Sequence, residues 1–421
     1  MSKNYSSQKK LSVERLSQLY GAASAKKQLD RHETLLKEHI HTFKTQRDDI
    51  WLISAPGRIE ISGNHTDHNN GIVLAAATDK DTLSAVTKRD DSLINIHSKG
   101  YGTIHIDCKD YQKRAEETET SAALVRGVAF YMTQHGYRIG GFDANVISDI
   151  PRGSGLSSSA AFEIMIGTIF NAFYNNNSIQ ERELAIIARE AENNYFDKPC
   201  GLMDQATSAC GGLVCIDFSS EQPLVTPIDV NFDRFDYAIV VVDTKEDHAD
   251  LTHYYKAITQ EMKSVASFFD EKTLRNVTME NVLSHIAAIR SLEGDRAILR
   301  TLHYLQENER VLKQVAALQN GNIRAFLDGV ISSGRSSFQY LQNVYIDTYK
   351  QPLSLALCLS EQMLLYDGAW RIHGGGFAGT TLNFVPNNKL HTFLHQMESV
   401  FSSDSCHRIN IRREGAAIMR S

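Results

Sequence analysis

The sequence has no surplus of basic residues, no long apolar run, and no cysteines at C-x-x-C spacing. Lys plus Arg number 44 against 50 Asp plus Glu, a formal charge of -6. Nothing in that balance serves to neutralise a nucleic acid or coat an anionic membrane, and it fits a small-molecule role better. No stretch approaches the run of about eighteen apolar residues needed to cross a bilayer. The six cysteines, Cys108, Cys200, Cys210, Cys215, Cys358 and Cys406, form no zinc-spaced cluster with histidine and are expected to be reduced, mostly buried thiols. The opening stretch MSKNYSSQKKLSVERLSQLY is charged and lacks an apolar segment of signal-peptide length, so the cytoplasm is the expected compartment. What is present is enough for two cores: 421 residues, 42% of them apolar. Internal repeats and low-complexity segments are absent.

Residues 1–48 read as helical, with Leu11, Leu16 and Leu19 ahead of the charged stretch AKKQLDRHETLLKEHIHTF. From Trp51 the texture becomes short and β-prone, in WLISA, GIVLAAA, TLSAV, LINIHS and TIHIDC. The last two are joined across Lys99–Gly102 in the manner of a hairpin. A helix is predicted near Ala122–His135, then the strand DANVISDI, then a strand-loop-helix unit with Ala161, Met165, Ile169 and Phe173 on one helical face. A second helix, QERELAIIAREAENNYF, and the strand GGLVCIDF follow. Few regular signals lie between Asp217 and Asp236, which marks a domain boundary. Beyond it, DYAIVVVDT reads as a strand covered on both faces, helices run from about Leu251 to Leu365, and the end of the chain returns to strand and loop.

Four segments carry candidate chemistry. PRGSGLSSSAA (151–161) puts glycines and serines ahead of a helix, where free N–H groups and the helix dipole favour phosphate; an ordinary N-cap is the alternative. It is neither a G-x-x-x-x-G-K-[ST] nor a G-x-G-x-x-G loop. APGRIEISGNHTDHNNG (55–71) gathers Arg58, Asn64, His65, Asp67 and His68, donors and acceptors suited to a polyhydroxylated ligand or to a plain turn. In PCGLMDQ (199–205), Asp204 sits among apolar and small neighbours, a costly place for a carboxylate unless it is paired with a cation such as Arg58; a helix cap is the other reading. HGGGFAG (373–379) is dense enough in glycine to suggest close backbone approach to a ligand or to the first loop, or a surface hairpin.

In this order the segments resemble the APGRVN-type, P-x-G-x-GLSSSAA-type and GGGFGG-type signatures of the GHMP kinases. PCGLMDQ and NERVLKQVAALQNGNIRAFLDGVISSGRSS are similar to stretches of the galactokinases within that family, and the likeness runs from about Trp51 to the C-terminus. The resemblance implies an α+β, two-domain GHMP kinase fold with the active site in the interdomain cleft. Residues 1–225 would form a ribosomal S5 domain 2-like N-terminal domain carrying the ATP loop, with 1–48 as a helical extension, and 226–421 a ferredoxin-like C-terminal domain. It implies transfer of the terminal phosphoryl group of ATP, with Mg2+, to the C1 hydroxyl of a sugar, galactose first. Asp204 takes the catalytic aspartate's place and Arg58 that of its partner. Gly153, Ser154, Gly155, Leu156, Ser157, Ser158 and Ser159 would hold ATP, and Ser158 and Glu192 the metal. Asn64, His65, Asp67, Gly201 and Tyr255 would contact the sugar, Tyr255 being placed by its spacing from His248, with Tyr254 its near competitor.

Departures from the pattern bear on the sugar. Asn64 stands where galactokinases usually have glutamate, so a charged acceptor becomes a neutral amide, and restoring glutamate there is expected to strengthen galactose binding. Glu60 replaces an asparagine, His373 a threonine and Ala378 a glycine. The alternatives are a kinase for another sugar such as N-acetylgalactosamine, a mevalonate-type kinase, whose signatures differ at HTDH and PCGLMDQ, and a non-catalytic galactose sensor. SSSAA, Arg58 and Asp204 are all intact, which favours catalysis.

Overall fold

The computed structural model describes residues 9–420 except 152, 199, 221 and 247–250. Its centre is a long antiparallel pair, Trp51–Ser62 against Ile72–Lys88, in which nearly every residue of both strands is buried. Strands covered on both faces lose polar alternation, and that is why these segments read as apolar runs. Outward on one side lie Ala417–Arg420 and then Lys9–Lys10; on the other lie Phe142–Ser148, Leu93–Ser98 and Gly102–Asp107, the last two forming the expected hairpin. Leu213–Asp217 pairs with the first half of Ile72–Lys88 and carries Leu224–Ile228 at its edge. A second, wholly antiparallel sheet has the order Ala369–His373, Thr380–Pro386, Tyr237–Asp243, Cys406–Ile409.

Helix Ser158–Tyr174 packs on both central strands and is buried from Ala160 to Ala172, all round rather than on the single predicted face. Glu181–Asn194 and Met203–Cys210 pack beside it. On the far side of the cleft, Thr252–Phe268, Ile286–Gln319 and Ile323–Ser336 form the helical wall. None of the described helices is long and apolar enough to cross a membrane. No disulfide joins any of the six cysteines, and only Cys108 is fully buried, short of the mostly buried set expected.

Two expected elements differ from those observed. GIVLAAA and TLSAV are one strand, because the polar TDKD between them is satisfied inside the fold. Asp79 accepts from the Asn410 backbone N–H at 3.0 Å and from its amide at 2.8 Å, and Asp81 is a buried hub. APGRIEIS, read as turn-rich, is the continuation of the first strand as far as Ser62. The strand Leu224–Ile228 spans position 225/226, and Ala417–Arg420 returns to the first sheet. We propose the division into 1–225 and 226–421 with its boundary moved past Ile228, and with Ala417–Arg420 belonging to the N-terminal half.

The N-terminal helices Val13–Tyr20 and Ala25–Phe43 seal the first sheet through Leu16, Leu19, Leu35 and Leu36 against Leu52, Leu83 and Met419. They are bolted down at Asp81, which takes Tyr20 Oη at 2.5 Å, Arg31 Nη1 at 2.6 Å and Arg412 Nη1 at 3.3 Å, as well as the Ser54 hydroxyl. Burial alone would raise the Asp81 carboxyl, but the two guanidiniums hold it well below the usual range.

His32 and His39 are fully buried on the second helix, and burial lowers both imidazoles to about 4. The folded state keeps them neutral while the unfolded chain binds protons below its ordinary value near 6.5, so they contribute stability above that pH and lose it as pH falls toward 4. The melting temperature should therefore fall steeply between about pH 6.5 and 4. His39→Gln should flatten that slope in a pH series of thermal melts; an unchanged slope would contradict the assignment.

Candidate active site

Register shifts between Pro56 and Arg58 and between Glu60 and Ser62 interrupt the first central strand. Such bulges re-aim side chains, and here they bring the strand against the serine loop. The Arg58 N–H donates to the Leu156 carbonyl at 3.0 Å. Gly57 permits this approach, since a Cβ there would lie 2.5 Å from the same oxygen.

Arg58 then grips Asp204 with both arms of its guanidinium, Nε to Oδ1 at 2.7 Å and Nη2 to Oδ2 at 2.8 Å. Its remaining nitrogen donates to the Gly155 carbonyl. Asp204 lies inside the first turn of helix Met203–Cys210 rather than capping it, and it also accepts from the Ser157 hydroxyl. Burial pushes this carboxyl up, but Arg58 and Ser157 outweigh it and hold Asp204 below the ordinary carboxylate range. Ser157 stands at the N-cap of Ser158–Tyr174 with φ 58°, and its hydroxyl goes to Asp204 instead of capping the helix. The first turn is left without a side-chain cap beside a carboxylate already matched to a cation, an arrangement that suits an incoming anion.

The glycine turn closes on this assembly from the second sheet. Asn64 Nδ2 donates to the Gly374 carbonyl at 2.7 Å, and the His65 ring lies 2.9 Å from the Gly375 carbonyl. His373 Nε2 accepts the Glu60 N–H at 3.2 Å, and its Nδ1 meets Thr380 Oγ1 at 3.0 Å, which in turn donates to the Ser154 carbonyl at 3.3 Å. Burial and two nearby guanidiniums keep that imidazole neutral, so Nδ1 carries the proton. His373 is thus the strut joining all three motifs. Tyr255 stacks near His65, with ring centroids 6.1 Å apart, and donates to the Gly376 carbonyl at 3.1 Å; Tyr254 instead packs on Phe377. His248, the sequence anchor for Tyr255, lies outside the described residues.

Asp67 faces Gly201, where any Cβ would overlap its carboxylate. The loop Gly63–Asp67 rests on buried Glu307, which accepts from the Gly63 N–H at 2.9 Å, and on His303, whose Nε2 lies 2.9 Å from the Asn64 carbonyl. Burial would raise Glu307, but His303, Arg310 and Arg371 bring it down to about 2. Neither supporting residue is evident from the sequence, although NERVLK adjoins Glu307. Ser158 opens its helix, but the hydroxyl that reaches Glu192 is that of Ser159, at 2.8 Å. Glu192 is buried and also takes Gln205 Nε2 at 2.6 Å, Lys198 Nζ at 2.9 Å and the Cys200 thiol at 3.1 Å. A cavity of about 200 Å³ opens beside this helix start, lined by Tyr101, Leu124, Phe162, Phe196, Ser158 and Ser159.

Asn64 has no capacity left for a ligand. Its amide nitrogen serves Gly374 and, at 3.0 Å, Glu60 Oε1, while its oxygen accepts from Asn343 at 2.8 Å and Ser337 at 3.3 Å. The two departures at 60 and 64 are therefore in direct contact, an acid and an amide with exchanged places, and Arg371 pairs with the acid at 3.2 Å.

The chain is similar to known proteins over most of its length. Residues 123–212 match the GHMP kinases N terminal domain, and residues 37–88 match the galactokinase galactose-binding signature. The chain is 33% identical over 343 residues to a galactokinase of Glaesserella parasuis serovar 5, covering 80% of this chain and 86% of that one. The structure superposes on a Lactococcus lactis galactokinase solved with galactose at a TM-score of 0.79 and 22% identity, covering 93% of this chain and all of the other. A crystal structure of mevalonate kinase shares the fold more distantly, at a TM-score of 0.62 and 12% identity, over 86% of this chain and 99% of that one.

The contact at 60 and 64 reverses the expectation for restoring glutamate. Asn64→Glu places a second carboxylate against Glu60 in a buried site and should cost about 3 kcal/mol of stability, with weaker sugar binding. The double variant Glu60→Asn/Asn64→Glu should recover most of both, measured by thermal melts and sugar titration calorimetry. Equal damage in the single and double variants would refute the coupling.

Proposed function

Because the chain belongs to the galactokinase family of GHMP kinases, we propose that it transfers the terminal phosphoryl group of ATP to the C1 hydroxyl of galactose. The observation that carries this reading is the doubly hydrogen-bonded Arg58–Asp204 pair set against the uncapped start of Ser158–Tyr174. Phosphoryl transfer asks a protein mainly for positioning and charge stabilisation. Amides of residues 153–159 receive the phosphates, and the left-handed backbone at Gly153, Gly155 and Ser157 shapes that cradle. The aromatic cavity beside Ser158 is the seat for the base. Asp204, kept ionised by Arg58, orients the C1 hydroxyl and accepts its proton, while Arg58 opposes charge on the transferring group.

His65, Asp67, Gly201 and Tyr255 line the sugar's side, with Asp67 held against Gly201 and Tyr255 against the glycine turn. Asn64 acts from behind as the tie between the loop and that turn. A hydroxyl at 158 or 159 together with the Glu192 carboxylate is an all-oxygen donor set, which suits Mg2+ completed by phosphates and water. Held by these residues, magnesium would supply positive charge against the phosphates. Withdrawal of the carboxylate from position 64 supports a second reading, a kinase for a related sugar such as N-acetylgalactosamine.

Asp204→Asn keeps the side chain's shape and should lower kcat by about a thousand-fold or more with a melting temperature near that of the parent. Arg58→Lys loses the two-armed grip, so the Asp204 carboxyl should rise and the acid limb of kcat should move to higher pH. Near-normal turnover in Asp204→Asn would reject the mechanism. A panel of sugars with coupled ADP detection tests the substrate, with galactose expected to give the highest kcat/KM; preference for an N-acetylated sugar would favour the second reading.

A further inference from the structure

Glu192 has no room for a divalent cation as it stands. Its Oε1 is shared by Ser159 and Lys198, and its Oε2 by Gln205 and the Cys200 thiol. Three of these partners are held by the fold. Ser159 is in the first turn of a buried helix, Gln205 is itself buried, and Cys200 is tied by its N–H to Asn193 Oδ1 at 2.7 Å. Lys198 differs: it lies on the loop between Glu181–Asn194 and Met203–Cys210, and its side chain is 55% exposed while Glu192 is 1% exposed. It is the one partner that can leave without disturbing a packed element, and the one that carries the charge a metal would supply.

We propose that Lys198 is a built-in counter-cation that holds Glu192 until the metal arrives and is displaced by it. The inference rests on Glu192 being a metal ligand, as in the function proposed above. A buried carboxylate stripped of its cation is strongly unfavourable, and Glu163, fully buried beside Glu192 and sharing Gln205 with it, adds a second carboxyl to the same spot. The ammonium removes that penalty in the unloaded protein, and metal binding must pay for its release. Lys198 therefore sets the metal concentration the protein requires. In its place on Glu192 it also acts electrostatically on Asp204 and Tyr255, favouring the charged form of each.

The test is binding of Mn2+, followed by the paramagnetic resonance of the free ion, to full-length protein saturated with a non-hydrolysable ATP analogue. Lys198→Met keeps the aliphatic stem and removes the competitor, so it should bind Mn2+ about ten-fold more tightly than the parent. Lys198→Arg keeps a cation and should stay within about two-fold of the parent. In chelator, Lys198→Met should melt lower than the parent and regain the difference when Mg2+ is added. Lys198→Met with unchanged Mn2+ affinity, while Glu192→Gln loses it, would overturn the exchange and leave Glu192 as a ligand. Unchanged affinity in Glu192→Gln would overturn the ligand assignment and the exchange together.

Discussion

The arrangement of this molecule turns on one buried ion pair. Asp204 has little exposure and would be neutral or destabilising without a cation, and Arg58 supplies one with two parallel hydrogen bonds. The pair joins the first central strand to the helix after PCGL, and the third arm of Arg58 and the Ser157 hydroxyl tie in the serine loop. Three segments far apart in sequence are fixed relative to one another by four hydrogen bonds. The carboxylate's charge and its direction are thereby set by the same contacts.

A second system of contacts brings the other half of the chain to that centre. It is built almost entirely on carbonyl groups of the glycine turn, reached by Asn64, His65 and Tyr255. Backbone contacts of this kind depend on side-chain absence at 375 and 376, where a Cβ would meet the Tyr255 ring and the Asn343 carbonyl. His373 extends the system to the serine loop through Thr380. Replacing a threonine by histidine at that point lengthens the reach of the strut without adding a charge, because the ring stays neutral.

The hairpin, the apolar strand Tyr237–Asp243 and the helices after the serine loop were legible because burial leaves a periodic trace in sequence, whereas the two-domain fold came only from the family resemblance. The meeting of Arg58 with Asp204 was legible too, from the cost of a lone carboxylate among apolar neighbours. What periodicity could not show was satisfaction across the fold. TDKD looked like a break until Asn410, Arg31 and Arg412 were found to pair its acids. Asn64 looked like a ligand group because nothing local reveals that Glu60, Gly374, Ser337 and Asn343 consume its amide. Glu307 and His303 were missed for the same reason: each serves the loop from a helix more than two hundred residues away. Lys198 gave no signal, since a lysine in a loop ordinarily belongs to solvent.

The last strand, Ala417–Arg420, lies between Trp51–Ser62 and Lys9–Lys10 in the first sheet. The first sheet therefore waits for a segment synthesised long after its central strands before it is complete. Until then the edge of Trp51–Ser62 stays open, a template for pairing with other chains. Loss of Ala417–Arg420 would leave that edge uncovered even though every residue named at the active site had been synthesised.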